Sequence, residues 1–428
     1  MRTELPSRVL SWYGDDFTGS TDVLEALSPH MSTVLFLERP DNKFFEQFAG
    51  HAAFGLAGSS RSQTPEWMDQ HLPEAFEWLK SLGAAACHYK VCSTFDSAPS
   101  VGNIGRAAEI GKRVFGARFV PMVVGAPSLR RYTIFGHLFA AAADGLVYRI
   151  DRHPAMMRHP VTPMKEADLR LHLKEQTKMR VGLQDALQAC ENYGAVAANS
   201  DAVLIDVLDE GSLQRAGRLL WDADRQPFIV GSSGVEYALI AHWGEEQRQS
   251  AVASPVEQLV VLSGSCSQAT ERQIKYAGSH GFTLVAISPA DASADERSIA
   301  EALAALAANT RGVVLHTARS AEDRVETFGA VERMSLGERA GRILDCVLNQ
   351  SGLRRVVIAG GDTSSHAGRQ LSIGALTFVS HMAPGAPLCK AWSRSPSRQG
   401  LEVVFKGGQC GLEDFFETVR SGSAKGRN

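Results

Sequence analysis

The sequence predicts an α/β fold of two domains, each a largely parallel sheet flanked by helices, with an inter-domain active-site cleft. Three observations carry this prediction. At 428 residues the chain is longer than one hydrophobic core usually serves. Short apolar runs alternate with amphipathic stretches over nearly the whole length, the signature of βα units. Near the middle, "WGEEQRQSAVASPVEQ" interrupts that alternation with a polar, Ser/Ala/Pro-containing segment of linker character. The expected domains are therefore 1–243 and 256–422.

In the first domain the strands expected in order are "VLSWYG", "STVLFL", "AAFGLAG", "CHYKVCST", "FVPMVVGA", "AVLIDV" and "PFIVGSSG". The helices between them include "PEWMDQHLPEAFEWLKSLG", "GNIGRAAEIGKRVF" and "SLQRAGRLLWDAD", whose apolar residues recur at helical spacing. In the second domain the strands are "LVVLSGS", "FTLVAIS", "GVVLHTA", "RRVVIAGG", "ALTFVS" and "LEVVFKGG". Helices such as "QATERQIKYAGSHG" and "LGERAGRILDCVLNQSG" separate them, and "SGSAKGRN" reads as a frayed tail.

Composition excludes several classes. Hydrophobic residues at 44% and charged residues at 21% are those of a globular protein. A net charge of -3 supplies no basic field for nucleic acid or anionic lipid, so neither is an expected partner. The seven cysteines are odd in number and contain no CxxC pair, so neither a disulfide framework nor a zinc knuckle is expected. No run approaches a membrane span, and the N-terminus does not read as a cleavable leader. A cytoplasmic protein follows, with a homodimer as the default assembly.

Three stretches of the second domain share one design, an apolar strand running into a loop of small residues: "VVLSGSCSQAT", "VVIAGGDTSSHAGRQL" and "VVFKGGQCGLEDFF". In open α/β sheets the ligand crevice lies beyond the carboxyl ends of the strands. There, glycine permits close backbone approach, and the first amides of the next helix favour phosphate. None of the three is a Walker A or G-x-G-x-x-G sequence. Together they could hold a triphosphate, with hydroxyls from Ser263, Ser265 and Thr363. Asp362 could orient Mg²⁺ through water and could also cap the following helix, two compatible roles.

"GDDFTGSTD" occupies the same kind of crevice in the first domain, with a helix expected from "DVLEAL". The adjacent carboxylates of Asp15 and Asp16 repel, so a cation or a hydroxyl-bearing ligand must compensate them. A carboxylate set against an alcohol also suits proton removal during phosphoryl transfer. At the next strand ends stand Ser60 and Arg61, and Lys90 is followed by Ser93, Thr94 and Asp96. Lys90 either snorkels at an edge or pairs with an anion. Arg61 and Lys90 together suit a clamp for a small carboxylate, to which the amides opening the "GNIG" helix could add. The irregular stretch "YRIDRHPAMMRHPVTPMKEADLR" holds His153 and His159, each before proline and without a third close ligand. That argues against zinc, and no metal site built from protein ligands is expected. A loop closing over an anionic substrate fits better.

"GDDFTGSTD", "SSRS", "YKVCSTFDSAPSVGNIG", "HPVTPM", "LSGSCSQAT", "AGGDTSSHAG" and "FKGGQCG", in this order over most of the chain, resemble the four-carbon acid sugar kinase family. The resemblance implies an N-terminal sugar-acid domain, a C-terminal ATP domain, and transfer of the γ-phosphate to a terminal hydroxyl of a small anionic sugar acid, with Mg²⁺. It implies substrate contacts at Asp15, Asp16, Ser60, Arg61 and Lys90, to which Ser93 and Asp96 are added by position. It implies nucleotide contacts at Ser263, Gly360, Gly361, Asp362, Thr363, Gly407 and Gly408, to which Ser265 is added likewise. Asp16 is the expected base, with Asp15 the next choice. "CSTFDSAPSVGN" stands where tetronate kinases tend to read "DSTLRGN", which looks like the 3-oxo-tetronate branch. The long "FGHLFAAAADGLVYRIDRHPAMMRHPVTPM" resembles a subgroup for which 3-oxo-isoapionate, a branched acid sugar, is a substrate.

Two other classes accommodate the same residues. A two-lobed ligand-sensing module would not require a nucleotide. A metal-dependent hydrolase or lyase could use Asp15 and Asp16 to activate water, but would leave no phosphate on the organic product.

Overall fold

The computed structural model describes residues 5–142, 144–159, 161–188, 190–221, 225–244, 252–288, 291–318 and 330–422. It divides into two compact units, Met1–Thr33 with Asp41–Arg248, and Val34–Pro40 with Gln249–Asn428. The segment Val34–Pro40 is thus part of the second unit although it precedes most of the first in sequence.

In chain order the strands before residue 248 are β1 (Leu10–Gly14), β2 (Thr33–Phe36), β3 (Ala53–Ala57), β4 (Ala86–Lys90), β5 (Val120–Val123), β6 (Arg131–Ile134), β7 (His137–Ala141), β8 (Val147–Arg149), β9 (Val181–Gln184), β10 (Ala202–Ile205) and β11 (Phe228–Gly231). The first unit's main sheet has the order β3-β1-β4-β11-β5-β10-β9, and its registered pairs are parallel. β1, β3, β4, β5, β10 and β11 are buried along their whole length, as expected for strands covered by helices on both faces. The helix Ile104–Phe115 shows how sequence specifies such a layer. Asn103 accepts from the Arg106 amide at 2.6 Å, Gly116 closes the other end at φ 68°, and Ile104, Ala107, Ala108, Ile110 and Val114 are buried.

Two expectations need correction in this unit. The helix after β1 spans Phe17–Leu27, starting well before "DVLEAL", because Asp16 caps it by accepting from Gly19 N at 2.5 Å. The stretch beginning at Tyr148 is not simply an irregular loop, because its first two residues lie in β8. β6, β7 and β8 form an antiparallel sheet of their own, closed at its first turn by Phe135 at φ 52° and Gly136 at φ 80°.

The remaining strands are β12 (Leu259–Ser263), β13 (Phe282–Ala286), β14 (Gly312–His316), β15 (Arg355–Ala359), β16 (Ala375–Ala383), β17 (Ala386–Trp392) and β18 (Glu402–Lys406). Their order is β13-β14-β12-β15-β18-β17-β16, parallel up to β18 and then antiparallel. β16 also pairs antiparallel with Leu35 and Phe36 of β2. β17 is absent from the sequence reading, since "APLCKAW" is shortened by proline and broken by Lys390. Val261, Val314, Val357 and Val404 lead a core shared with Ile274, Phe282 and Phe415. Among the described residues no helix is long and apolar enough to cross a membrane.

Candidate active site

Parallel order brings the turns after β1, β3 and β4 to one edge of the first unit, because β1 lies between β3 and β4 in register. Each turn contributes charge there. Arg61, in the short 3₁₀ turn Ser60–Ser62 after β3, faces both carboxylates that follow β1. Its Nε and Nη2 donate to Asp15 at 3.1 and 2.7 Å, and its Nη1 donates to Asp16 at 2.6 Å. This is the compensation that two adjacent carboxylates require. The backbone reinforces it, with the Arg61 amide donating to Asp15 O at 3.0 Å and the Asp15 amide to Lys90 O at 2.9 Å.

Asp15 is 4% exposed. Burial pushes its pKa up to about 6, with repulsion from Asp16 adding to the rise and Arg61 opposing it. Asp16 has both oxygens engaged. Oδ1 caps the helix through Gly19, and Oδ2 accepts from Thr18 Oγ1 at 2.9 Å as well as from Arg61. Burial works against the Arg61 guanidinium, yet the two aspartates hold it well above its ordinary range.

Lys90, 2% exposed at the end of β4, pairs with Asp22 at 3.2 Å and donates to Val91 O at 3.0 Å. Burial again opposes the charge, and Asp22 and Asp15 outweigh it, so its pKa is raised. Of the two readings open to Lys90, the structure selects anion pairing. The expected clamp is altered, however, because Arg61 and Lys90 are both already paired with aspartates and neither stands as a free cation.

The loop after β4 adds a second layer. Thr94 Oγ1 donates to Asp96 at 2.5 Å, and Thr162 Oγ1 approaches the other Asp96 oxygen at 3.1 Å. Thr162 Oγ1 also lies 2.9 Å from His159 Nδ1, which carries the "HPVTPM" segment to this carboxylate. Burial raises Asp96, but Arg61, the Thr94 hydrogen bond, His159 and Thr162 overcome it and hold the carboxyl below its usual range. Ser60 is fully buried, its hydroxyl 2.9 Å from Tyr89 Oη. Ser93 lies half-buried in the turn. The amides opening the "GNIG" helix are not free as expected. Gln176 Oε1 takes those of Ile104 and Gly105 at 2.9 and 3.4 Å, and Asn103 takes that of Arg106.

In the second unit, β12, β15 and β18 are neighbours, with Ser263 opposite Ala359 and Ala359 opposite Lys406. The three small-residue loops therefore leave the sheet side by side. Gly264 N donates to Ala359 O at 3.1 Å, and Gly360 N to Lys406 O at 2.8 Å. Ser267 and Thr270 both donate to Gly408 O, the latter at 2.9 Å. A Cβ at Gly408 would stand 2.8 Å from Ser265 Oγ, so a side chain here would displace the Ser265 hydroxyl. Ser263, Ser265, Gly360, Gly361, Gly407 and Gly408 thus come together, and among the described residues the buried Ser263 hydroxyl has no hydrogen-bond partner. Gly360, at φ 114°, is the cap of the helix Gly361–Gln370. Asp362 therefore sits within the first turn and is not the cap; the side chains of Asp362 and Thr363 lie outside the described residues.

Lys406 is fully buried beside these loops and donates to Thr270 Oγ1, Gly407 O and Gly408 O at 3.0, 2.9 and 3.3 Å. Among the described residues it has no carboxylate partner, and burial lowers its pKa to about 8.

The family model for a sugar-binding N-terminal domain matches residues 10–239, and that for a nucleotide-binding C-terminal domain matches residues 260–416. The chain belongs to the four-carbon acid sugar kinase family. This kinase is 45% identical to the 3-oxo-isoapionate kinase of Paraburkholderia graminis, over 98% of its own length and 95% of the relative's. It is 32% identical to the 3-oxo-tetronate kinase of Cupriavidus necator, over 96% of each chain. A solved Salmonella typhimurium protein shares its fold, with a TM-score of 0.76 at 23% identity, covering 98% of the kinase and all of the other chain. The enzyme is thus a sugar-acid kinase.

Four residues of the kinase's two clusters escaped the sequence reading. Asp22 lay within the quoted "GDDFTGSTD", in the second turn of the helix that starts at Phe17. Lys406 stood in "FKGGQCG" as a charge inside an apolar strand, the same signal that singled out Lys90. Thr162 and Thr270 stood inside "HPVTPM" and "LSGSCSQAT" without being singled out, since their contacts with Asp96 and with Gly408 O join positions distant along the chain.

Proposed function

We propose that the protein is an ATP- and Mg²⁺-dependent kinase that phosphorylates a terminal hydroxyl of a branched 3-oxo acid sugar of the 3-oxo-isoapionate type. The observation that carries this reading is 45% identity to a 3-oxo-isoapionate kinase over 98% of the chain, against 32% for the 3-oxo-tetronate kinase of Cupriavidus necator. The arrangement in the first unit supports it. Asp15, Asp16 and Asp96 are hydrogen-bond acceptors for substrate hydroxyls, Arg61 orients Asp15 and Asp16 while Lys90 pairs with Asp22, and Ser60 and Ser93 complete the lining.

Asp16 is the proposed base. Phosphoryl transfer asks the protein mainly for positioning and charge stabilisation, with a carboxylate accepting the hydroxyl proton. Asp16 is held by its own helix, by Thr18 and by Arg61, so its oxygens are fixed before substrate arrives. Asp15 keeps the second position, and its raised pKa ties its charge to pH near 6.

The nucleotide phosphates are assigned to Ser263, Ser265, Gly360, Gly361, Thr363, Gly407 and Gly408. The unpartnered Ser263 hydroxyl and the tight approach at Gly408 fit a ligand rich in acceptors. Mg²⁺ bound with phosphates needs few protein oxygens, and Ser263 and Asp362 would supply them; the ion would spread the charge on the transferring group. Seven free thiols support a reducing, cytoplasmic setting.

The test is ADP release with ATP and Mg²⁺ across 3-oxo-isoapionate, 3-oxo-tetronate, threonate and erythronate. Fastest turnover of the branched acid supports the reading. Preference for a linear acid overturns the substrate, and ATP binding without turnover of any of them overturns the sugar-acid assignment.

A further inference from the structure

The first unit's cluster sets a problem for an anionic substrate. Among the described residues Asp15, Asp16, Asp22 and Asp96 face two permanent cations, Arg61 and Lys90, with His159 near Asp96, and both cations already pair with aspartates. A sugar acid brings one more negative charge into this buried, acid-rich setting, where an uncompensated anion is costly. Some further cation must meet its carboxylate.

Arg131 has the required properties. It opens β6 just after the turn that leaves β5, and its backbone exchanges hydrogen bonds with Ala126 at 2.8 and 3.1 Å. β5 is joined through β11 to β4, so this turn emerges at the same carboxyl edge as those bearing Asp15 and Lys90. The hairpin is pinned there, with the Thr133 amide donating to Val207 O and the Val207 amide to Thr133 Oγ1, each at 2.8 Å.

The Arg131 guanidinium is half-buried, and among the described residues no carboxylate pairs with it. Nη1 reaches only backbone carbonyls, those of Leu129, Arg130 and Ala141, at 3.1 to 3.3 Å. Nε is enclosed and has no acceptor among the described residues. A buried donor without a partner carries a penalty that a bound anion would remove. Its neighbourhood is that of the cluster. The Cys92 thiol lies within electrostatic reach of Arg131 and also of Arg61, Lys90 and Asp96. Burial lowers the Arg131 pKa and no carboxylate opposes this, the reverse of Arg61.

We infer that Arg131 is the residue that binds the substrate's carboxylate, its unsatisfied guanidinium edge receiving the acid while Arg61 and Lys90 serve the protein's own aspartates. This inference rests on the sugar-acid reading above. It makes Arg131 the determinant that separates an acid sugar from its uncharged analogue. A planar two-pronged donor suits a carboxylate better than lysine does.

The experiment compares wild type, Arg131→Met and Arg131→Lys on the best acid of the panel and on its primary amide, with ATP held saturating. In wild type the acid is the better substrate. In Arg131→Met we expect kcat/KM for the acid to fall about 10- to 150-fold, the range for a lost hydrogen bond to a charged group. Most of the fall should lie in KM, with the KM for ATP unchanged. The amide should change little, so the acid-to-amide ratio collapses. Arg131→Lys should recover part of that ratio. An equal fall for acid and amide, or an unchanged ratio, overturns the assignment. If Arg131→Met does not fold, the ratio in Arg131→Lys decides alone, and one equal to wild type overturns it. Absence of turnover by the wild type on every acid would instead overturn the sugar-acid reading itself.

Discussion

Replacing Asp15 with asparagine should lower turnover while making the protein more stable at neutral pH than in acid, relative to wild type. Burial and the neighbouring Asp16 outweigh Arg61, so the Asp15 pKa moves from 3.8 to about 6. A pKa raised by folding means that the native state favours the protonated form. The stabilisation is complete below the unfolded value and is lost as pH rises through about 6. At neutral pH the ionised carboxylate therefore costs the fold about 3 kcal/mol, from about two units at roughly 1.4 kcal/mol each. Asparagine cannot ionise and escapes this dependence.

Between roughly pH 4.5 and 7.5 the stability difference between Asp15→Asn and wild type should move by about 2 kcal/mol in favour of the variant. Changes in packing, or in the contact with Arg61, alter the difference at both pH values and cancel largely in its slope. Urea unfolding of both proteins at the two pH values, followed by tryptophan fluorescence, measures it, and ADP release reports activity on the same samples. A stability difference that does not vary with pH, or one that moves toward wild type, would refute the argument that burial dominates at Asp15.

Asp16→Asn should retain the helix cap, because asparagine caps as well as aspartate, yet lose about 10²- to 10⁴-fold in kcat if Asp16 accepts the proton. Asp16→Ala should lose the same activity and about 1 kcal/mol of stability besides; near-normal turnover of Asp16→Asn removes the base from this position. Lys406 has a pKa lowered to about 8 by burial, so its charge is present below that value and is lost above it. Affinity for ATP, measured calorimetrically, should weaken as pH rises through about 8, and Lys406→Met should bind weakly with a flattened profile. An unaltered profile in that variant would show that the ammonium does not act on the nucleotide.

The placement of the two clusters was legible because it depends on neighbouring residues. A β-rich apolar run marks a strand, small residues after it mark a loop, and the rule that ligands collect at the carboxyl ends of a parallel sheet does the rest. That is why Asp15, Arg61, Lys90, Ser263, Gly360 and Gly408 were identifiable before any coordinates. The helix start at Phe17 was misjudged because "FTGS" is poor in apolar periodicity, while the signal that decided it was the capping carboxylate of Asp16. The hairpins of β6 to β8 were missed for a related reason, since short strands with mixed burial carry little periodic signal.

Sequence by itself determined the α/β class, the strand ends that carry chemistry and the family, all of which rest on local pattern and ordered motifs. Tertiary structure alone decided which charges meet. Arg61 reaches Asp15 across 46 positions and Asp16 across 45, and only the order β3-β1-β4 makes them neighbours. With the Lys90–Asp22 pair, that pairing occupies the two cations a linear reading would give to the substrate, while among the described residues Arg131 has no carboxylate partner. The physical reason is that Coulombic and hydrogen-bond partners are chosen by distance in space, which is set by strand order and register rather than by separation along the chain.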